Sequence, residues 1–239
     1  MRMLWEVWKM EHRELVTMLA VMFGAALVGS GLTAVIVSID AESYAVMGSF
    51  MALIVWAVLT FLTAALSMEK QFGLAVAMGR TRKEFLIFRW VILIVNTAIE
   101  LLVIAGIHRI EKTAAMLFYR GMSCGFDAVA WLIDYRIIIA ALLLIPAASL
   151  FLGMLLTKFQ RKAFWGIWVV WMAGSILLPK AGHIIADNPD SLPARVFMTM
   201  AAGIARLGIG GQLAAVAVIS FVFLLVSAAV FRKQAVTQV

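Results

Sequence analysis

Six long apolar runs decide what this chain can fold into. Leu15–Ile39, Tyr44–Met68, Ile137–Leu156, Ala163–Leu178 and Leu213–Phe231 contain no charged side chain, and Trp90–Ile107 contains only Glu100, with the amide Asn96 one turn away. A hydrocarbon core of about 30 Å needs roughly 20 apolar residues in helix. The runs are continuous, whereas the strands of a membrane barrel alternate apolar and polar residues, so helices and not a barrel are expected. The sequence therefore predicts an all-α membrane protein with six transmembrane helices, over about 15–39, 44–68, 86–107, 137–156, 163–178 and 213–231, in one transmembrane domain covering 1–239.

Composition closes the alternatives. Hydrophobic residues make up 64% of the chain and charged residues 14%, against about half and about a quarter in soluble domains. A mean hydropathy of +1.03 excludes a soluble enzyme, a disordered chain and a disulfide scaffold. Cys124 is the single cysteine, so no intrachain disulfide forms. The net charge of +7 reads as cytoplasmic loops and not as nucleic-acid binding, because Lys and Arg accumulate on the inner side of membrane proteins. With both termini inside, 13 of the 20 basic residues fall on the cytoplasmic side. The expected location is thus a cell membrane crossed several times, the lipid bilayer itself being a partner.

The first residues carry their own pattern. Arg2, Glu6, Lys9 and Arg13 fall on one side at helical spacing, while Leu4, Trp5, Trp8 and Leu15 largely occupy another. That predicts an N-terminal interfacial amphipathic helix over 1–14, with Trp at the headgroup level. The alternative is a ragged extension of the first span.

The segment 68–85, between the second and third spans, is the most informative. Gly79 is placed to end a helix, since it accepts the left-handed conformation. Thr81 and Glu84 form a Thr-x-x-Glu capping box that starts the next one. Phe72, Leu74, Ala75, Val76 and Met78 extend too far beyond the membrane to be explained by lipid and read as an apolar knob awaiting a protein socket. An ordinary basic loop obeying the positive-inside rule is the other reading of the same residues.

Phe72-Gly73-Leu74 followed by Met78-Gly79-Arg80-Thr81-Arg82-Lys83-Glu84-Phe85 resembles the turn between spans two and three in small bacterial permeases of the ABC-2 exporter type. The whole layout is also similar: an amphipathic N-terminal helix, six spans and a long outer segment before the last one. The resemblance implies that 68–85 is a coupling helix, with Phe72, Leu74, Met78, Gly79, Arg80, Thr81, Arg82, Lys83 and Glu84 meeting a cytoplasmic ABC ATPase subunit. It implies a homodimer of permease copies, and ATP and Mg held by the partner ATPase with no cofactor in this chain. The chain lacks the Gly-x-x-x-x-Gly-Lys-(Ser/Thr) phosphate loop. Leu207-Gly208-Ile209-Gly210-Gly211-Gln212 only faintly echoes an ATPase signature and is read as chance.

Outside the spans, 108–136 reads as a helical hairpin broken at Arg120–Gly125, and 180–212 as a segment in which Pro179 interrupts span five and a further helix begins near Leu192. Glu100 and Asn96 lie on one face, either lining the transport path or forming a buried structural pair, because an intramembrane carboxylate avoids lipid. Ala25, Gly29 and Thr33, at four-residue spacing, allow close helix approach, in a dimer seam or within one copy. Gly121-Met122-Ser123-Cys124-Gly125 fits Gly-x-Ser-x-Gly, but that motif needs a strand-to-helix elbow beside a sheet, and the three His with one Cys show no metal-ligand spacing. An apolar, Met- and Trp-rich path suits amphipathic or hydrophobic cargo, and the resemblance implies a peptide, lipid or drug. The competing classes are an ATP-independent secondary transporter or channel and a non-transporting membrane partner.

The orientation is testable by single-cysteine labelling in a Cys124→Ser background. An impermeant thiol reagent added outside should modify Asn188→Cys and leave Thr81→Cys untouched. The opposite pattern would invert the topology.

Overall fold

The computed structural model describes residues 2–39, 42–77, 81–127, 129–130, 134–187 and 191–232. The elements in chain order are α1 (Arg2–Ile39), β1 (Ser43–Ala45), α2 (Met47–Ala77), α3 (Arg82–Phe118), β2 (Ser123–Phe126), α4 (Tyr135–Phe159), α5 (Arg161–Asp187), α6 (Leu192–Arg206) and α7 (Ile209–Arg232). Among the described residues, four stretches are long and apolar enough to cross a membrane: His12–Ile39, Lys83–Phe118, Tyr135–Phe159 and Ile209–Val230, while Met47–Thr60 on α2 is a shorter apolar stretch. The protein is therefore a mostly helical membrane protein. Leu27 of α1 and Leu102 of α3 are each more than 70% exposed, as side chains facing lipid should be.

Four sequence expectations change. The helix over 1–14 is not separate: α1 runs unbroken from Arg2, because no Gly or Pro interrupts it before Gly24. Pro179 does not end span five, since α5 continues to Asp187. A proline removes one helical hydrogen bond and kinks a helix without forbidding it where neighbouring structure holds the ends. The outer hairpin is half helical. Its first arm is the end of α3, but Gly121 turns the chain at φ 90° and the second arm begins as β2. Strand β2 pairs in parallel with β1, Ser43 opposite Ser123 and Tyr44 opposite Cys124, so the all-α expectation admits a two-stranded exception. The expected helix near Leu192 is present as α6, with Pro193 in its first turn, where a missing N–H costs nothing.

The core is built around α2 and α4. Met18 and Met22 of α1, Trp56 of α2 and Leu101 and Ile104 of α3 form one buried cluster. Met68 and Phe72 of α2, Phe85 and Leu93 of α3, and Leu150 and Met154 of α4 form a second. Helix α7 lies along α4, with Phe151 and Phe223 stacked at 5.0 Å. Its buried Ser220 and Ser227 return their hydroxyls to the Val216 and Phe223 carbonyls at 2.8 and 2.7 Å, which satisfies them without a partner helix.

The small-residue stripe of α1 is used inside the chain. A Cβ on Gly29 would meet the Met47 carbonyl and lie 2.7 Å from the Gly48 Cα; one on Gly48 would lie 2.6 Å from Ser30 Oγ and 2.8 Å from the Ala26 carbonyl. Thr33 donates to the Ala45 carbonyl at 2.8 Å. Gly29 and Thr33 therefore seat the start of α2 on α1 and do not face a second copy. Gly29→Ala should destabilise the protein by about 1–3 kcal/mol, the usual cost of overpacking. Gly31→Ala should be close to neutral, because nothing lies within 4 Å of its added carbon. Thermal unfolding in detergent compares the two variants; equal stability would mean that α1 and α2 do not approach as described.

Candidate functional site

Polar residues recur along one face of α3 at Arg89, Asn96, Thr97 and Glu100, and along one face of α2 at Thr60 and Thr63. On a helix, residues spaced three, four, seven or eight apart share a side. The two faces meet, and with Glu14 of α1 they line a crevice closed by Leu15, Met18 and Leu93. Glu14 is exposed at its edge, whereas Arg89, Thr97 and Glu100 are buried. From Arg89 to Glu100 the crevice spans about 16 Å along α3 at 1.5 Å per residue.

Each charge is held by a specific group. The Trp56 indole donates to Glu100 Oε2 at 2.7 Å, and Arg89 Nη2 donates to Ser67 Oγ at 2.9 Å. Polar partners of this kind are what buried intramembrane charges call for. The sequence placed Glu100 and Asn96 on a common face, and both do line the crevice. Arg89, one of the 13 basic residues assigned to the cytoplasmic side by charge, is only 2% exposed, a burial that the charge count does not show. The Trp56 partner was missed, since eight tryptophans in an apolar chain give no sign of which one turns inward. The cavity is about 30 Å³, space for water and not for an amphipathic cargo, whose sites run to hundreds of Å³.

The turn between α2 and α3 has the predicted start. Thr81 is the N-cap of α3; its hydroxyl accepts from the Glu84 amide at 3.3 Å, and the Glu84 carboxylate accepts from the Thr81 amide at 3.2 Å. Lys83 and Glu84 are exposed. Met78, Gly79 and Arg80 lie outside the described residues, and Leu74 and Arg82 are described only as members of α2 and α3. Phe72 is a correction: it is 6% exposed and packs on Phe85, ring centroids 5.7 Å apart. It belongs to the root of the turn and not to a projecting knob, because the helical rise turns it back onto α3 and α4.

A second polar group lies at the opposite end of α3 and was not anticipated. Glu111 accepts the Gly48 and Ser49 amides at 2.6 and 2.7 Å, capping α2 with a carboxylate from another helix. His108 Nδ1 lies 3.2 Å from Ser49 Oγ. Its Nε2 is 3.6 Å from Asp127 Oδ1, and Lys112 reaches Asp127 Oδ2 at 3.0 Å. The order Ser, His, Asp resembles a hydrolytic triad only on paper: Ser49 has no exposed surface, its helix position is fixed by Glu111, and no reacting group can approach it. In the sequence, His108, Glu111 and Lys112 at helical spacing just beyond the expected span were the available signal. Among the described residues no group of His, Cys, Asp and Glu has the arrangement of a metal site.

Trp56→Phe should leave the buried Glu100 carboxyl one donor short and destabilise the protein by about 1–3 kcal/mol. Combined with Glu100→Gln the losses should be clearly non-additive; additive losses in thermal unfolding would mean that the two side chains do not interact. No model of a known family, no curated protein and no solved structure matches the chain, so the crevice and the capped turn carry the functional reading.

Proposed function

We propose that this chain is the membrane-spanning permease subunit of an ATP-driven ABC-2-type exporter, moving an amphipathic or hydrophobic substrate out of the cell. The observation that carries the reading is the anchoring of the capped turn. Helix α2 is described as far as Ala77, Thr81 caps the start of α3, and beside them Phe72 and Phe85 pack in one cluster with Leu150 and Met154 of α4. A push on the turn is thereby delivered to three packed helices at once, since close-packed side chains transmit displacement instead of absorbing it. The contacting surface is the turn itself, residues 74–84, with Phe72 as its root.

In this reading α2 and α5 also cross the bilayer, giving six spans with both termini in the cytoplasm. Both helices exceed the roughly 20 residues a crossing needs. A second copy pairs with this one, and a cytoplasmic ATPase binds and hydrolyses ATP with Mg. The cargo runs along apolar faces outside the small crevice. Trp165, Trp168 and Trp171 of α5 are each about half exposed and offer such a face.

The crevice favours a second reading. Glu14, Arg89 and Glu100 in one cleft are more ionisable groups than a passive span needs, and intramembrane charges mark ion pathways; an ion-coupled secondary transporter would use them directly. Purification in mild detergent separates the two. The first reading expects co-purification of a Walker-motif ATPase, lost when Arg82→Glu and Lys83→Glu are combined and retained in Thr81→Ala, whose missing cap costs only about 1 kcal/mol. Absence of any ATPase, with uptake driven by an imposed ion gradient in proteoliposomes, would establish the second.

A further inference from the structure

We propose that the junction of α4 and α5 binds an anionic phospholipid, with Lys158, Arg161 and Lys162 at the headgroup and the aromatic start of α5 against the chains. The site requires α4 and α5 to enter the bilayer, as in the exporter reading, and requires no ATPase. Helix α4 ends at Phe159 and α5 begins at Arg161. Gln160 alone makes the turn, at φ 45°. So short a link keeps the bases of the two helix ends together, and all three are exposed. The chain offers them little to neutralise their charge. No Asp or Glu occurs between Asp134 and Asp187, and among the described residues none of the three bases forms an ion pair. Lys158 Nζ instead stands over the Phe159 ring, 5.2 Å from its centroid.

Immediately beyond the bases, α5 turns aromatic. Phe164, Trp165 and Trp168 are each about half exposed. They form an edge-to-face ladder, with centroids 6.0 Å apart for Phe164 and Trp165 and 5.7 Å for Trp165 and Trp168. Trp168 lies about 9 Å along α5 from Lys162 at 1.5 Å per residue. That is slightly more than a headgroup layer of roughly 5–8 Å, so the rings belong at the boundary where Trp is favoured. Positive charge and apolar area therefore adjoin each other. A soluble phosphate or an acidic protein would meet the bases and leave the rings bare. A zwitterionic lipid would bring a cation of its own up to three others. An anionic phospholipid matches both parts, its phosphate facing the bases and its chains covering the rings. Bases at a membrane edge attract such lipids over about a Debye length.

Tryptophan quenching by brominated lipids in proteoliposomes tests this without an ATPase or a cargo, so its failure would leave the exporter reading standing. Brominated phosphatidylglycerol should compete for the chain about tenfold better than brominated phosphatidylcholine. Lys158→Gln, Arg161→Gln and Lys162→Gln combined should bring the two lipids within about twofold of each other. Raising salt from about 0.05 M to about 0.5 M should do the same to the unaltered chain, which keeps the test decisive if the triple variant inserts poorly. Trp165→Phe with Trp168→Phe should remove the preferential part of the quenching and so locate the lipid on α5. Glycerol phosphate, which has the charge and no chains, should not displace the lipid. Equal quenching by both lipids would overturn the proposal, as would a preference that survives both the triple substitution and salt, or one carried by other tryptophans. Displacement by glycerol phosphate would show a bare anion site instead. A triple variant that loses a co-purifying ATPase while keeping its lipid preference would make the junction a protein contact.

Discussion

Everything in this bundle depends on how α2 is started. A helix that begins at the edge of a membrane leaves amides that lipid cannot satisfy. Here Glu111 crosses from α3 to accept two of them. That carboxylate can approach only because residue 48 is glycine, since an added carbon there would lie 2.9 Å from Glu111 Oε1. The same two residues of α2, Met47 and Gly48, are seated against Gly29 of α1. One junction therefore fixes three helices, and β1 and β2 are tied to it through the Val46 amide, which donates to the Phe126 carbonyl at 2.9 Å.

Polar groups inside the bundle are handled in two ways. Some hydroxyls fold back onto their own helix, as Ser220, Ser227 and Thr157 do. Where charges are buried, a partner is recruited from another helix, as Trp56 is for Glu100 and Ser67 for Arg89. The second solution is expensive and specific. It is concentrated in the crevice shared by α1, α2 and α3, while α7 shows only the first. The crevice also lies along the two helices that the turn joins, so a movement of that turn would reach the crevice along α2 and α3.

Much of this was legible in the sequence. The apolar runs gave the helices of a membrane protein because length and hydropathy are local properties. The Thr81–Glu84 box was readable because capping is decided within four residues. Asn96 and Glu100 shared a face by helical spacing alone. What misled was inference across helices or across breaks. Phe72 read as exposed because the sequence cannot show that α3 and α4 cover it. Pro179 read as a stop because the sequence does not say whether the helix around it is held at both ends.

The sequence by itself thus determined that the chain lives in a membrane, where its long helices lie and how α3 begins, since each follows from hydrophobicity or hydrogen bonding among near neighbours. The tertiary structure decided the rest: that Gly29 serves α2 and not a second copy, that Arg89 is buried, that Trp56 answers Glu100 and that Glu111 caps a helix more than 60 residues away. Those pairings follow from which faces of separate helices meet. In an apolar chain most faces are chemically alike, so only the packed structure distinguishes them.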